Sequence, residues 1–374
     1  MIAIYTRAIV LILLSLLVVG CGGNSAMVMT PSPTPAACVP SSTPAFAYLL
    51  NDDSVSTFTA NSCTGAFTSS GAAVSTFPSN VGSEDMVVDR QGKFLYVANL
   101  VSNVNGPSAI SMYTIDSTSG LLTPTNPPTV QTGWFPQGIA IDPAGKFVYT
   151  ANSNDNTVSM FTVDRTTGLL TPTTPPSVPS LSDPGQITVG PAGRFVYVAN
   201  GFGTVGMFTI DATTGLLTPM SPATVHAGGF PFELAVSPSG KFLYVVDNIF
   251  NHVAEFTIDQ VTGTLTPTSQ AFASTGQGPT AVTVDPTSKF AYVTNRLDNT
   301  ISMYTIDSNS GELTALGVIP TGSTPFHLRF DRAGKFLYVI NEDGPASIYT
   351  VDNSTGKLVP NGNTGAASLQ LAMH

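Results

Sequence analysis

One phrase, rewritten six times at near-regular spacing, constrains this chain more than anything else in it. Variants of Asp-Pro-x-Gly-Lys-Phe-x-Tyr-Val-x-Asn run from Val88 to Asn99, Ile141 to Asn152, Val189 to Asn200, Val236 to Asp247, Val284 to Asn295 and Phe330 to Asn341. A shortened copy, Phe46 to Asn51, precedes them. The aligned tyrosines, Tyr48, Tyr96, Tyr149, Tyr197, Tyr244, Tyr292 and Tyr338, lie 46 to 53 residues apart. A fixed period of this size specifies a propeller, a solenoid or an array. Residues present in every copy are therefore architecture, and chemistry is sought where the repeat breaks.

A second phrase follows the first, at 110–123, 158–171, 205–218, 253–266 and 301–314, ending in a Thr-Gly-x-Leu-Thr type loop. Both phrases alternate apolar and small polar residues with period two, which specifies strands. In the copy beginning at Gln137, strand A runs to Asp142, and Asp142-Pro143-Ala144-Gly145 makes a tight turn. Strand B is 146–152, strand C is 157–163, and strand D is a short run at 169–171 before a Pro/Thr-rich connection. Four antiparallel strands repeated radially form a β-propeller blade. The first copy lacks strand A, and the C-terminal segment 365–374 aligns with 322–331 and supplies it. The expected fold is an all-β, seven-bladed propeller over residues 46–374, closed by the C-terminal strand pairing into blade one, with no open edge left to aggregate.

The N-terminus reads as a processing signal. Arg7 precedes an apolar run at 9–19 that ends in Val18-Val19-Gly20-Cys21. This resembles a bacterial lipobox, in which the cysteine is lipidated. Residues 1–20 are then a signal peptide, and 21–45 a lipidated Cys21 followed by a flexible Pro/Ser/Thr tether. The location implied is the bacterial cell envelope, lipid-anchored on the periplasmic face of the outer membrane or at the cell surface, with membrane contact through the anchor only. Cys38 and Cys63 remain as a candidate disulfide pair in an exported chain, with two free thiols as the alternative. Net charge is −10 and there is no basic stripe, which excludes nucleic acid as a partner. No cofactor or metal is implied, since His226, Glu233 and His252 match no zinc spacing. The chain reads as a monomer.

The repeat register locates a site. Strand A is innermost, and the residue four before the turn aspartate is Asp85, Gly138, Gln186, Glu233, Ala281, His327 and Gln370 in successive blades. A structural column would keep one residue type, and this one does not. Two residues further on, a column of small residues is broken by Arg329. The B–C loops and D–A crossings on the same face add Arg296, Asn341, Glu342, Trp134, Phe232 and Phe326. A concave mouth with aromatic walls and a few convergent polar groups is the expected ligand site. As solvent-facing groups, its polar residues are expected to contribute little to stability.

Tyr292-Val293-Thr294-Asn295, together with the Gly-Lys turns and the Thr-Gly-x-Leu-Thr loops, resembles the Tyr-Val-Thr-Asn propeller repeats. The longer unit resembles the bacterial 6-phosphogluconolactonase, or lactonase, family over all seven blades. That resemblance implies a lactone hydrolase. The family pattern Gly-x-x-Pro-Arg-His followed by Asn-Glu is matched here at Pro325, His327, Asn341 and Glu342, while Phe326 stands where the arginine belongs. Residues 135–138 and 83–86 lack the family's other histidines. These departures point away from phosphosugar substrates. Within this reading His327 is the base, oriented by Glu233 or Asp85, and Arg329 binds the oxyanion or product carboxylate. Gln186, Gln370, Trp134, Phe232, Phe326, Asn341, Glu342 and Arg296 bind substrate, a small lactone or sugar. The alternative from a different class is a non-catalytic propeller that binds a glycan or protein partner.

Overall fold

The period-two alternation of each repeat resolves into antiparallel strands whose inward residues are apolar and whose length is set by Gly-containing turns. The computed structural model describes residues 38, 41, 44–76, 82–100, 108–367 and 370–373. Among them there are only strands, no helix. They form seven sheets, one per blade. Blades two to seven begin with innermost strands Ser83–Val88, Pro136–Ile141, Pro184–Val189, Pro231–Val236, Pro279–Val284 and Pro325–Phe330, and each continues outward through three antiparallel partners. Blade one is built differently. Its innermost strand is Gln370–Met373, paired with Ala45–Leu50 in the register Leu49↔Leu371 and Leu50↔Gln370. The ring is closed by the C-terminal strand, as the sequence implies.

The recurring residues make the joints between blades. Each phrase tyrosine donates its hydroxyl to the glycine carbonyl of the next blade's outer hairpin. The pairs are Tyr48 to Gly120 and Tyr96 to Gly168 at 3.0 Å, Tyr197 to Gly263 at 2.7 Å, and Tyr338 to Gly65 at 2.9 Å across the closure. Two residues before each tyrosine, a phenylalanine ring lies against the same glycine. A Cβ on Gly263, at φ +78°, would sit 2.4 Å from Phe195, so only glycine fits both the backbone and the contact. An apolar cluster fills every gap between neighbouring blades, including that between blades seven and one. On the face opposite the mouth, the turn aspartates cap their own hairpins. Asp142 accepts the amides of Ala144, Lys146 and Phe147 at 3.0, 2.5 and 2.7 Å.

One expectation is corrected. The Pro/Thr-rich stretch after 169–171 is not a connection but a continuation of the outer strand, Leu170–Pro179, past a register shift between Ser159 and Phe161. An outermost strand needs to donate only half of its amides, so proline is tolerated there. Cys38 and Cys63 are both disulfide-bonded. The signal segment, Cys21 and most of the tether lie outside the described residues.

Candidate functional site

In blades two to seven the innermost strand slips register as it enters the sheet. The shift falls between Ser83 and Asp85, between Pro231 and Leu234, and between Pro325 and His327 in blades two, five and seven. A bulge at this point re-aims a side chain. Here it turns the variable column toward the propeller axis, where residues from distant blades meet. His327 Nδ1 lies 3.0 Å from Glu233 Oε2, and Arg329 Nη1 donates to Glu233 Oε1 at 2.9 Å. Gln370, on the closing strand, places Nε2 3.1 Å from His327 Nε2. His327, Glu233 and Gln370 are 3%, 4% and 2% exposed, so these groups are buried and not solvent-facing as expected. Burial pushes the Glu233 carboxyl up, but Arg329 and His327 outweigh it and hold the group below its usual range, as a carboxylate.

This layer plugs the channel. Above it opens a cavity of about 220 Å³, with Phe230, Phe232 and Phe326 on one side and Glu84, Gln137, Asp183 and Gln186 on the other, His327 at its floor. The rings run edge to face: Phe232 to Phe326 is 5.5 Å, and Phe326 to His327 is 4.6 Å. Below the layer a second chamber, lined by Asp85, Thr188, Thr283 and Arg329, opens toward the opposite face. Gln186 donates from Nε2 to the Gln137 carbonyl at 3.1 Å, which stiffens the polar wall. Gly138 leaves a gap in the column because a Cβ there would meet the Gly185 carbonyl at 2.8 Å.

Several residues assigned to the site from sequence sit elsewhere. Asp85 does not reach His327. Its carboxylate accepts Met86 N at 2.8 Å and Ile139 N of blade three at 3.1 Å, and burial pushes it up to about 6 against the Ile139 amide and the charges of Arg329 and His327. Asn341 is buried and donates to the Pro345 carbonyl and Ser347 Oγ, the same scaffold role as its counterparts in other blades. Arg296 and Glu342 pair with each other at 2.5 Å. Trp134 is held on the rim by its amide, which donates to Asp155 Oδ2 at 2.6 Å. None of these five lines the cavity. Loops of one face share a side of the ring but not a radius, and spacing along the chain does not distinguish the two. Glu84 and Gln137 were missed. They occupy the position just before the variable column, as Phe232 and Phe326 do, and reading that neighbouring column would have found them. Among the described residues no cluster of His, Cys, Asp or Glu is arranged to hold a metal. Glu233 is taken by His327 and Arg329, and His252 faces Asp247 at 3.3 Å.

Comparison with known proteins fits this architecture. A putative 6-phosphogluconolactonase from Bacteroides fragilis is 21% identical, with a TM-score of 0.76 over 89% of this chain and 98% of that one. One from Bacteroides uniformis is 22% identical, with a TM-score of 0.76 over 89% and 100%. The periplasmic gluconolactonase of Pseudomonas aeruginosa is 18% identical, with a TM-score of 0.74 over 89% and 99%. At these identities the likeness establishes a shared fold. No curated protein matches the sequence. The family model described as lactonase, 7-bladed beta-propeller, matches residues 28–182, 171–278 and 273–368. Matched along most of its length, the chain belongs to the seven-bladed β-propeller lactonase family.

Proposed function

We propose that this protein hydrolyses a lactone at His327 on the floor of the mouth, with Glu233 held beneath it on the side of the lower chamber. The observation that carries the reading is the buried 3.0 Å contact between His327 Nδ1 and a carboxylate that Arg329 keeps ionised. Glu233 fixes the imidazole with its proton on Nδ1, leaving the Nε2 lone pair to act as base. Gln370 occupies that lone pair at rest. When a lactone enters, water takes the place of the amide at Nε2, and the Gln370 N–H turns to the carbonyl oxygen. The water oxygen bonds to the carbonyl carbon as its proton passes to Nε2, and Glu233 balances the imidazolium. The tetrahedral intermediate then collapses, the ring C–O bond breaks, and the leaving alkoxide takes the proton back from Nε2. The product is the open hydroxy acid. A positioned base contributes about 10²–10⁴-fold, and an oxyanion donor about 10²–10³-fold.

The test is turnover of a lactone panel by the purified propeller. His327→Ala and Glu233→Gln should each lower kcat at least a hundredfold while circular dichroism stays unchanged. A folded wild type that opens no lactone would refute the reading and leave the non-catalytic propeller, a platform for a glycan or protein partner. We further propose that the protein is a monomeric cell-envelope lipoprotein anchored through Cys21. Support for this comes from the apolar run at 9–19 and the small residue before the cysteine.

A further inference from the structure

The mouth is charged in one sense only. Glu84 and Asp183 line it, and neither lysine nor arginine does. An anionic group on the ligand would meet two carboxylates there with no cation to answer it.

The aromatic wall does not stop at the cavity. Gly201 lines the cavity, and the next residue, Phe202, is 75% exposed. Phe250 is 63% exposed, and its ring covers Gly229, one residue before the lining Phe230, with 2.7 Å to where a Cβ would stand. Ile249 beside it is 58% exposed. The repeat does not demand apolar tips, since the same loops in blades three and seven carry Asp155 and Asp343.

This rim is also built to hold its shape. Blades two, three, four, six and seven end the second strand in Asn99, Asn152, Asn200, Asn295 and Asn341, and blade five alone ends it in an aspartate, Asp247. That buried carboxylate accepts Gly229 N at 2.5 Å and Phe230 N at 3.1 Å from one loop. From the other it accepts Ile249 N at 3.0 Å and Phe250 N at 3.3 Å. Charge-assisted bonds of this kind are stronger than the neutral ones an asparagine makes. The one exceptional residue of its column thus ties together the two loops that carry the aromatic wall and its extension.

We infer that the substrate is an uncharged lactone bearing an apolar substituent. Its ring sits on His327 between Phe326 and the Gln137–Gln186 wall, and its tail runs over Phe230 to Phe202, Ile249 and Phe250. This rests on the lactonase reading of the same site and adds the substrate class.

The experiment measures kcat/KM for unbranched γ-alkyl lactones, from γ-valerolactone to γ-decalactone, beside a phosphorylated sugar lactone. Each methylene that reaches the rim should raise kcat/KM about two- to fourfold, and the phosphorylated lactone should be the poorest substrate. The Phe202→Ser, Phe250→Ser double variant should flatten the chain-length series, so that its kcat/KM for γ-decalactone falls to about that for γ-valerolactone. If the double variant does not fold, Phe202→Ser alone carries the test, because its ring is the most exposed. Hydrolysis with no chain-length dependence, or a dependence the variant retains, overturns this inference and leaves the catalytic reading standing. No hydrolysis of any lactone overturns the catalytic reading and this inference with it. Wild-type binding to phosphatidylcholine vesicles that the variant loses, with a flat series in both, would make the rim a membrane-facing surface and also overturns it.

Discussion

Replacing Glu255 with methionine should change how the stability of the propeller depends on pH. The corresponding strand position holds Met112, Met160, Met207 and Met303 in blades two, three, four and six. The sulfurs of the first three accept the amides of Leu170, Leu217 and Leu265 from the next blade at 3.3, 3.2 and 3.3 Å. In blade five Glu255 does this work with its carboxyl, taking Leu313 N on Oε1 at 3.2 Å and the Thr268 hydroxyl on Oε2 at 3.1 Å. Burial between the blades pushes the group from 4.5 up to about 7, against those two bonds. The folded state therefore holds a proton that the unfolded chain has released. The associated stability is present in full below about pH 4.5 and is lost as pH rises toward 7. The shift converts to about 3 kcal/mol at face value, and about 2 kcal/mol once the polarisability of the protein around the carboxyl is allowed for. For a ring of this size that is about 3 °C in Tm. Thermal melts of wild type and Glu255→Met at pH 4 and pH 8 should show near-equal Tm at pH 4 and the variant about 3 °C higher at pH 8. The difference between the two proteins isolates Glu255 from other groups such as Asp85, which titrates in the same sense. Parallel pH profiles, or a variant that melts lower at pH 8, would show that the buried carboxyl carries no such cost.

Further outcomes follow from the same geometry. Tyr197→Phe removes one buried inter-blade hydrogen bond and leaves the Gly263 carbonyl unmet, for a loss of about 1–2 kcal/mol measured by urea unfolding. Gly263→Ala should cost more, since it strains a positive φ and drives a methyl into Phe195. Removing residues 370–374 takes away both the closing strand and Gln370, so melting temperature and lactone turnover should fall together; an unchanged Tm would contradict ring closure. Cys21→Ser should move the protein from the membrane fraction to the soluble one, and a wild type that is already soluble would refute the anchor.

Most of the fold was legible because the chain states its rule repeatedly. Period, turn glycines and the aligned tyrosines fix the blades, and the leftover C-terminal segment fixes the closure. The outer strand was shortened in the sequence reading because prolines look like connection, though an edge strand tolerates them. The meeting of His327, Glu233, Arg329 and Gln370 was approachable from the register, since an innermost position that varies between blades has no structural reason to vary. Its details were not. A bulge is a matter of one residue in the pairing, and it set how His327 and Glu233 are aimed at each other across the axis. Radial distance along a loop is likewise invisible in spacing, and it separated Trp134, Arg296 and Glu342 from the cavity they were expected to line. The role of Asp247 shows in the sequence only as one letter out of step.

The tyrosine–glycine joints have a consequence for how such a ring changes its chemistry. They resemble a wheel whose spokes are bolted to one another well away from the hub. The bolts are the phenylalanine, tyrosine and glycine of each repeat, and none of them points at the axis. Hub residues can be exchanged one at a time without loosening a bolt, except at Gly138, where the neighbouring backbone leaves no room for a side chain. A lineage of such wheels can therefore keep its repeat almost intact while rewriting what it grips, and two members that share every bolt need share no ligand.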